Sequence, residues 1–474
     1  MIADLKPYSE YKDSGMTWLD RVPKHWVLRP AFGAFMPNKE RNFSMREKTV
    51  LSLSYGRIVI KPPEKLHGLV PESFETYQIV NPGDIVVRTT DLQNDHTSLR
   101  MGMVRNRGII TSAYLALHPK PGVSPDFGFQ LLHVWDTSKA IYGYGSGLRQ
   151  SLGFSDFKRM PVVVPPPDEQ AAIVKFLDWA NARLERTIRA KRRVIALLTE
   201  QKQAIIHRAV TRGLDPSVPL KPSGIAWLGD IPAHWEVRPL KAVCKIQSGT
   251  TLGKDYGAQQ TYEFPYLRVA NVQAGYVKLS VVKKVAVSMS EAQRRTLENG
   301  DVLMTEGGDL DKLGRGCVWE AQISPCLHQN HVFAVRPDKS KLDPQFLSAL
   351  MGTPYARAYF QMTAKQTTNL AATNKTKIGQ LSVLLPSVVQ QREILVALGR
   401  ETKPVDTAIS RLNREIDLLC EYRTRLVADI VTGKLDVREA AAHLPQDDVQ
   451  AALEPDALDP DEATDADADA ELEE

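Results

Sequence analysis

An internal repeat constrains this chain more than any other feature of its sequence. Residues 14–30 recur at 223–239, at an offset of 209 residues and without a gap. Two tryptophans, a proline and a histidine keep their spacing in both copies, and the tryptophans are Trp18, Trp26, Trp227 and Trp235. Such a match is hard to obtain by chance, and a repeated sequence predicts a repeated structural unit.

A second repeat, at an offset of 221 residues, predicts two long helices. Residues 165–215 recur at 386–436, and apolar residues in both copies follow one another at helical spacing. The predicted seam consists of Ile188, Ile195, Leu198, Ile205, Ile409, Leu412, Ile416, Leu419 and Leu426. Each helix should extend for about 45 residues, or roughly 65 Å. Because an apolar seam needs a partner, we expect an antiparallel coiled coil with pseudo-twofold symmetry.

Local signals mark where these helices begin and end. Pro167 introduces the first helix, and Asp168 is its predicted N-cap. Gly213 and Gly433 are predicted to end the two helices. Pro404 interrupts the second copy, where we expect a kink or a helix start.

The segments outside the helices predict an α+β fold with two strand-rich globular domains in tandem. Short β-branched and aromatic runs bounded by Gly, Pro and Asn fill both segments, and 81–86 corresponds to 298–303. Most other positions differ, so one fold carrying two different surfaces is the simplest account. The predicted domain boundaries are 1–26, 27–165, 166–213, 214–236, 237–386, 387–434 and 435–474.

The charge of the chain predicts a polyanionic partner. The net charge is +4, but residues 446–474 hold thirteen Asp or Glu and no Lys or Arg, so the remaining body carries +17. A strongly basic body points to nucleic acid. The acidic stretch lacks aromatic residues and is predicted to be disordered. It either screens the body against non-specific DNA or is a solvated tail without a role.

Motifs for catalysis, cofactors and targeting are not recognised in the sequence. The Gly-rich segment 143–147 lacks the preceding strand and following helix of a dinucleotide site, and 249–254 lacks the spacing of a Walker A loop. His328 and His331 lack further ligands at metal spacing. We therefore expect no catalytic residue, no metal and no bound cofactor. No long apolar run or apolar leader is present, and the four cysteines form no framework. These features predict a cytoplasmic protein without a membrane segment.

The motifs resemble those of one family. Residues 15–26 read Gly-x-x-Trp-Leu followed by Pro-x-His-Trp, and 224–235 repeat the pattern. Residues 165–170 read Pro-Pro-Pro-Asp-Glu-Gln at the start of the first long helix. Gly-Asp-Val-Leu at 300–303, followed by His-Gln-Asn-His-Val at 328–332, completes the set. Over roughly 10–436, the chain resembles the specificity subunit of type I restriction-modification systems.

The resemblance implies a function and a set of partners. Specificity subunits of this kind use two target recognition domains to read a bipartite site in double-stranded DNA. Two conserved helices between the domains fix the gap between the half-sites. Two methyltransferase subunits, which bind S-adenosylmethionine, dock on the helical regions, and restriction subunits complete the complex. The second copy departs from the pattern because Gln390 replaces Glu169; if Glu169 caps its helix, the second cap is weaker.

Polar loops after predicted strands supply the candidate DNA contacts, because base edges are read by Arg, Lys, Asn, Gln and acidic side chains. Such loops are commonly only solvated. The candidates are Arg88, Thr89, Gln93, Asn94, His96, Arg149, Gln150, Glu306, Asp309, Lys312, His328, Gln329, Asn330, Lys365, Gln366 and Asn369.

Other features leave alternatives open. The basic run 186–193 is a solvated helix face, a phosphate track or a contact to the methyltransferase. The repeated tryptophans either anchor partner subunits or, as we prefer, pack in the core. Two rival functions also remain, namely a self-contained DNA-modifying enzyme with unrecognised motifs and a coiled-coil interaction scaffold. The Asn/Asp-Pro-Pro-aromatic motif of adenine methyltransferases is not found in the sequence, which argues against the enzyme, and the +17 body argues against the scaffold.

Overall fold

The chain folds into two compact units. The computed structural model describes residues 5–16, 18–62, 73–90, 92, 99–143, 152–308, 313–314, 316–366 and 371–445. Unit 1 comprises 1–191 with 414–474, and unit 2 comprises 192–413. Both units contain helices and strands, which confirms a mixed α and β fold. The units do not follow linear segments, since each takes part of both long helices.

The first part of the chain is rich in short strands. They are β1 (Tyr11–Met16), β2 (Leu19–Pro23), β3 (Val27–Pro30), β4 (Phe35–Pro37), β5 (Leu51–Ser54), β6 (Arg57–Ile60), β7 (Gln78–Val80), β8 (Ile85–Val87), β9 (Met101–Met103), β10 (Gly108–Ile110), β11 (Leu115–Pro119) and β12 (Pro161–Val164). The helices are α1 (Pro125–Thr137), α2 (Phe154–Phe157) and the long α3 (Pro167–Arg212).

The second part has a similar plan. Its strands are β13 (Leu220–Pro222), β14 (Asp230–Pro232), β15 (Glu236–Pro239), β16 (Cys244–Ser248), β17 (Thr261–Leu267), β18 (Lys283–Ser288), β19 (Val302–Thr305), β20 (Gly307–Gly308), β21 (Gly316–Val318), β22 (Leu327–His328), β23 (Val332–Pro337), β24 (Lys365–Gln366), β25 (Ala371–Ala372) and β26 (Ser382–Leu385). The helices are α4 (Met289–Arg295), α5 (Pro344–Met351), α6 (Pro354–Thr363), α7 (Lys375–Gln380), the long α8 (Val388–Val431) and α9 (Arg438–Ala442).

The central sheets of the two units have the same strand order. In unit 1 the order is β4-β11-β8-β9, and in unit 2 it is β16-β23-β19-β21, with every pair antiparallel. In each unit a further antiparallel pair joins an early strand to the strand before a long helix: β3 with β12, and β15 with β26. The sequence repeat is therefore a repeat of structure.

A turn before the central strand is reproduced almost atom for atom. Asp84 accepts a hydrogen bond from the Asn81 amide at 2.8 Å, and Asp301 accepts one from the Glu298 amide at 2.8 Å. Gly83 and Gly300 precede these aspartates with φ of +93° and +94°, a region that side chains disfavour. This turn explains why the Gly-Asp pair recurs in both copies.

The partner of the buried aspartate differs between the units. Asp84 Oδ1 lies 2.9 Å from His118 Nδ1, whereas Asp301 binds the Arg336 guanidinium at 2.7 and 2.8 Å. Asp301 and nearby Glu298 raise the pKa of Arg336, mainly through the hydrogen bonds to Asp301. Both units thus share the backbone of the turn, but the side chain that contacts the buried aspartate is a histidine in unit 1 and an arginine in unit 2.

A buried glutamine ties the start of each long helix to its unit. The Gln170 amide accepts from the Ser124 N–H at 2.8 Å and donates to the carbonyls of Gly122 and Pro165 at 2.8 and 2.9 Å. In unit 2, Gln391 makes the same three bonds, to the N–H of Asp343 and the carbonyls of Lys341 and Pro386, at 2.8, 2.8 and 2.9 Å. Both side chains are fully buried. We call these two arrangements the glutamine clamps.

The two long helices contact each other within each unit. In unit 1, Glu185 pairs with Arg423 at 2.9 Å and Lys191 with Glu415 at 2.5 Å, so numbers rise along α3 while they fall along α8. The helices are therefore antiparallel there. In unit 2, Lys202 pairs with Asp406 at 2.6 Å. Of the predicted seam, Ile188 and Leu426 are buried and the other residues are half-buried.

The helix ends differ in two respects from the sequence-based expectations. Asp168 is the second residue of α3, and the Pro166 carbonyl accepts from the Glu169 and Gln170 amides, so the prediction of Asp168 as N-cap is wrong. Pro404 lies inside α8, and no new helix starts there. Gly213 and Gly433 follow the last turns with φ of +76° and +79°, which confirms both predicted ends.

The glutamine clamps are expected to stabilise each unit. Gln170→Ala leaves one buried N–H and two buried carbonyls without their partner, which should cost about 1–3 kcal/mol. Urea denaturation should show a lower unfolding midpoint than in the Gln201→Ala control, because Gln201 is exposed on the same helix. Equal midpoints for the two variants would contradict the expectation.

Candidate nucleic-acid interface

Predicted contact residues from separate loops of unit 2 meet at a small sheet. Glu306 follows β19, and the adjacent strand β20 pairs with β25, which pairs in turn with β24 (Lys365–Gln366). The Glu306 carbonyl also accepts from the Thr373 amide at 2.8 Å. The structure therefore brings Glu306 next to the segment that carries Lys365, which is exposed.

A side-chain contact between His331 and Glu306 joins this sheet to the His-Gln-Asn-His loop. His331 Nδ1 lies 2.6 Å from Glu306 Oε2, and the Glu306 amide donates to the His331 carbonyl at 2.9 Å. His331 is exposed, so the pair lies at the surface. A carboxylate and an imidazole at a surface offer one acceptor and one donor to a base edge. His331 was not among the predicted contacts, although its motif was recognised.

The middle of the same loop is partly accessible. Gln329 and Asn330 are half-buried, and Gln329 Oε1 accepts from the Val269 amide at 3.3 Å. The Asn330 amide donates to the Thr250 carbonyl at 3.1 Å, which fixes the loop against the segment after β16. Gly249 allows this approach, because a Cβ there would lie 2.1 Å from the His328 carbonyl oxygen.

His328 has a structural position. Its side chain is fully buried, and Nδ1 lies 2.7 Å from the Val332 carbonyl oxygen. Burial lowers the pKa of His328 to about 4, so the imidazole is neutral at pH 7 and Nδ1–H donates to that carbonyl. A base-reading side chain must reach solvent, so in this arrangement His328 shapes the loop and does not itself reach DNA.

In unit 1 a buried arginine organises the predicted contact segment after β8. Arg88 is half-buried and Thr89 is buried. The guanidinium of Arg100, which is fully buried, donates to the Thr90 carbonyl at 2.8 Å and to the Tyr142 hydroxyl at 3.0 Å. The Leu152 amide donates to the Thr89 carbonyl at 2.9 Å. Arg100 was missed by the sequence reasoning, because an arginine beside a strand carries no sign of burial.

Half of the predicted contacts are not placed. Gln93, Asn94, His96, Arg149, Gln150, Asp309, Lys312 and Asn369 lie outside the described residues, as do the side chain of Gln366 and the acidic stretch 446–474. Their assignment stays a prediction.

The repeated tryptophans divide into two classes. Trp26 and Trp235 are fully buried, as predicted for core residues, and Trp18 is half-buried with an edge contact to Trp135. Trp227 is 45% exposed, so its prediction as a core residue is wrong. It stacks on Tyr355 at the surface of unit 2 with 6.4 Å between ring centroids.

Glu169 binds the repeated His-Trp pair and does not cap its helix. Its carboxylate lies 2.8 Å from His25 Nε2 and 3.0 Å from Trp26 Nε1, and it also accepts from the Tyr8 hydroxyl. Burial and that hydrogen bond raise the pKa of Tyr8, so the hydroxyl keeps its proton.

Gln390 occupies the equivalent place in unit 2. Its Oε1 lies 3.1 Å from both His234 Nε2 and Trp235 Nε1. The substitution noted between the copies therefore keeps the acceptor and removes the charge. The expectation of a weaker second cap does not apply, because neither residue serves as the cap.

The basic run on α3 is partly paired. Arg186, Arg192 and Arg193 are exposed, whereas Lys191 is engaged by Glu415. The exposed arginines therefore leave this helix face available for a polyanion.

The part of the chain that the structure describes carries neither a metal-binding cluster nor a membrane-spanning helix. There, no group of three or more His, Cys, Asp or Glu is arranged to hold a metal ion. None of the helices in the described ranges is both long and apolar enough to cross a membrane. No protein-family model matches the chain.

Comparison with known proteins gives consistent relatives. The chain is 23% identical over 207 residues to the MjaX specificity subunit of Methanocaldococcus jannaschii, covering 43% of this chain. It is 23% identical over 286 residues to the EcoKI specificity subunit of Escherichia coli K12, covering 59% of this chain. The matches span 47% and 59% of the lengths of these two relatives.

A solved structure has a similar fold. A chain from a study of complex assembly and conformational transition of the type I R-M system superposes with a TM-score of 0.56. The superposition covers 86% of this chain and 98% of the other, at 15% sequence identity.

The site and fold define a class of protein with two related α/β units that present different polar loops on the same scaffold. The predicted resemblance is confirmed: the chain is similar in sequence to specificity subunits of type I restriction enzymes, and it shares the fold of the solved chain.

The buried neutral His328 makes unit 2 sensitive to acid. Its folded pKa of about 4 lies below the unfolded value near 6.5, so the unfolded state binds the proton first as pH falls. Stability should be complete above about pH 6.5 and should fall between about pH 6.5 and 4, by up to about 1.4 kcal/mol per pH unit. Thermal melting of His328→Gln should show a flatter pH dependence over this window. His443→Gln, at an exposed histidine, serves as the control. An unchanged slope in His328→Gln would contradict the assignment.

Proposed function

We propose that the chain is the DNA sequence-recognition subunit of a type I restriction-modification complex. Residues 27–165 of unit 1 and 237–386 of unit 2 act as two target recognition domains in tandem, and each reads one half of a bipartite site in double-stranded DNA. The observation that carries the proposal is the repeat of one sheet order, one Gly-Asp turn and one glutamine clamp with different loops on each copy. A bipartite target needs such a pair of related readers.

The charge of the chain supports a DNA partner. The body outside the acidic stretch carries +17, and phosphate contacts by Lys and Arg supply much of the affinity of DNA-binding proteins. The Glu306–His331 pair, with Asn330 and Lys365 on neighbouring segments, supplies groups of the kind that read base edges.

The proposal assigns the chemistry to partner subunits. Two methyltransferase subunits would bind S-adenosylmethionine and methylate adenine, and restriction subunits would cleave DNA. This chain would be the non-catalytic subunit that holds them, in the cytoplasm where its DNA lies. The repeated segment with Trp227 exposed at the surface of unit 2 is a candidate contact for such a partner.

The long helices would act as the spacer. They are 46 and 44 residues long without a break, and ion pairs cross between them. We propose that they form an antiparallel coiled coil with pseudo-twofold symmetry and set the distance between the half-sites. One turn of DNA spans roughly 34 Å, so a fixed helix length selects a fixed gap.

Deletion of the gene should abolish one split methylation motif in the host. Sequencing of methylated adenines should find a two-part motif in the wild type and lose it in the deletion strain. A methyltransferase should copurify with the chain from host lysate. An unchanged methylome without a methyltransferase partner would reject the proposal.

The same material separates the two rival functions. Methylation or cleavage by the purified chain alone would identify a self-contained enzyme. DNA affinity that does not fall with salt would favour an interaction scaffold, since phosphate contacts make binding strongly salt-dependent.

Lengthening both long helices should change the gap and leave the half-sites intact. Seven residues add about 10 Å to a helix, which corresponds to about three base pairs. We expect a heptad inserted after Arg193 and another after Leu412 to lengthen the gap in the methylated motif accordingly. Seven residues inserted after Ser217, in the linker before β13, serve as the control and should leave the gap unchanged. A changed half-site with an unchanged gap would contradict the spacer role.

A further inference from the structure

A loop in unit 1 exposes the phenyl ring of Phe43 next to two residues with left-handed backbone conformations. It follows the edge strand β4 and carries Phe43, which is 61% exposed, and Met45, which is 37% exposed. Ser44 and Met45 have φ of +56° and +48°. Two consecutive non-glycine residues in the left-handed region are strained, and such strain is concentrated at functional sites.

Hydrogen bonds, several of them from the buried Asn42, hold the loop in this conformation. Asn42 is fully buried, its Nδ2 donates to the Glu47 carbonyl at 2.9 Å, and its Oδ1 accepts from the Glu47 amide at 2.9 Å. The Asn42 amide donates to the Tyr77 carbonyl at 2.9 Å, and the Ser44 amide donates to Glu75 at 2.9 Å. The exposed phenyl ring therefore lies on a fixed support.

The surroundings of the loop are basic. Lys39, Arg41, Arg46 and Lys48 are exposed on the same segment. Arg107 faces it and binds both carboxylates of the segment, at 3.8 Å from Glu40 and 3.5 Å from Glu47. With Glu75 included, five cations face three carboxylates. An apolar tip within a cationic border is complementary to the bases and phosphates of DNA.

Unit 2 carries a similar tip at the equivalent place. The loop after its edge strand β16 presents Leu252, which is 53% exposed, next to Gly253 with φ of +72°. The Thr250 amide donates to the His328 carbonyl at 2.8 Å on one side, and Lys254 pairs with buried Glu291 on the other. This loop contacts the His-Gln-Asn-His loop of the candidate interface.

We propose that Phe43 and Leu252 are apolar wedges that pack between the base pairs of the DNA, one in each half-site. This inference rests on the proposed function. Proteins that deform DNA insert Phe, Leu and similar side chains between base steps, partly unstacking them, while Arg and Lys grip the neighbouring phosphates. Each wedge then selects for a step that unstacks easily, and so contributes to specificity without hydrogen bonds.

The experiment uses the complete complex with its methyltransferase subunits and a duplex carrying the methylated motif. Phe43→Ala should weaken binding by about 10-fold or more, in line with the measured range for base–aromatic stacking. Leu252→Ala should also weaken it, and by less because the side chain is smaller. Phe32→Ala and Leu220→Ala remove side chains that are 53% and 45% exposed elsewhere in the same units, and should leave affinity within about 2-fold.

A second measurement, of base unstacking by fluorescence, can be made on the wild-type complex and does not depend on a variant that folds. The fluorescent adenine analogue 2-aminopurine, placed in turn at each adenine except the methylated one, brightens when its stack is disrupted. The wild-type complex should brighten one position in each half-site. Phe43→Ala should abolish the signal in one half-site only, and Phe43→Trp should retain it.

The outcomes separate the two proposals. If the wild-type complex binds no split duplex, the proposed function and this inference both fail. If it binds, but Phe43→Ala behaves like Phe32→Ala and no position outside the methylated adenine brightens, the wedge alone is rejected. If Phe43→Ala instead releases a methyltransferase subunit and DNA affinity per assembled complex is unchanged, the tip is a protein contact and the wedge is also rejected.

Discussion

The architecture depends on one buried interaction that occurs twice. At the start of each long helix a fully buried glutamine joins three backbone groups from two other segments of the unit. A buried backbone group without a partner is costly, so the clamp strongly favours one placement of the helix on its unit. Each clamp joins the helix start to the strand that immediately precedes it and to the segment after an inner strand of the central sheet, β11 in unit 1 and β23 in unit 2.

The neighbouring position shows how a duplicated framework tolerates change. Glu169 and Gln390 both accept from a His-Trp pair, so the geometry needs an oxygen there and not a charge. In unit 1 the charge is accompanied by Tyr8 and by Arg438, which lies over the Tyr8 ring at 5.1 Å. The segments around Lys6 and Asp436 meet at this place, where the Asp436 backbone amide donates to the Lys6 carbonyl at 2.8 Å. Extra contacts from these segments accommodate the buried carboxylate.

The repeats made much of this fold predictable, because spacing is visible in one sequence. Both helix ends at glycine, the Gly-Asp turn and the buried Trp26 and Trp235 follow from matched positions. Burial on one side of a motif is not visible in the same way, and this explains the error at Trp227. The error at Asp168 has another cause, because α3 already begins at Pro167. Arg100 and His328 illustrate the same limit, since polar residues predicted or expected at a surface turn out to be buried supports. Glu306, His331 and Lys365 come together only through strand pairing, which a sequence of short strands does not specify.

The loops after the two edge strands show why a common scaffold yields different surfaces. In both units an edge strand leaves the sheet at the same place, and the following segment is anchored on both sides of one exposed apolar residue. The anchors differ: a buried asparagine serves in unit 1, whereas a threonine amide and a lysine–glutamate pair serve in unit 2. The residues that support the exposed Phe43 or Leu252 pack in or beside the same loop. Their identities can therefore change together with that exposed residue while the residues of the sheet stay the same. The sheet therefore stays constant while the loops diverge, and this is the condition under which two copies of one fold come to recognise two different partners.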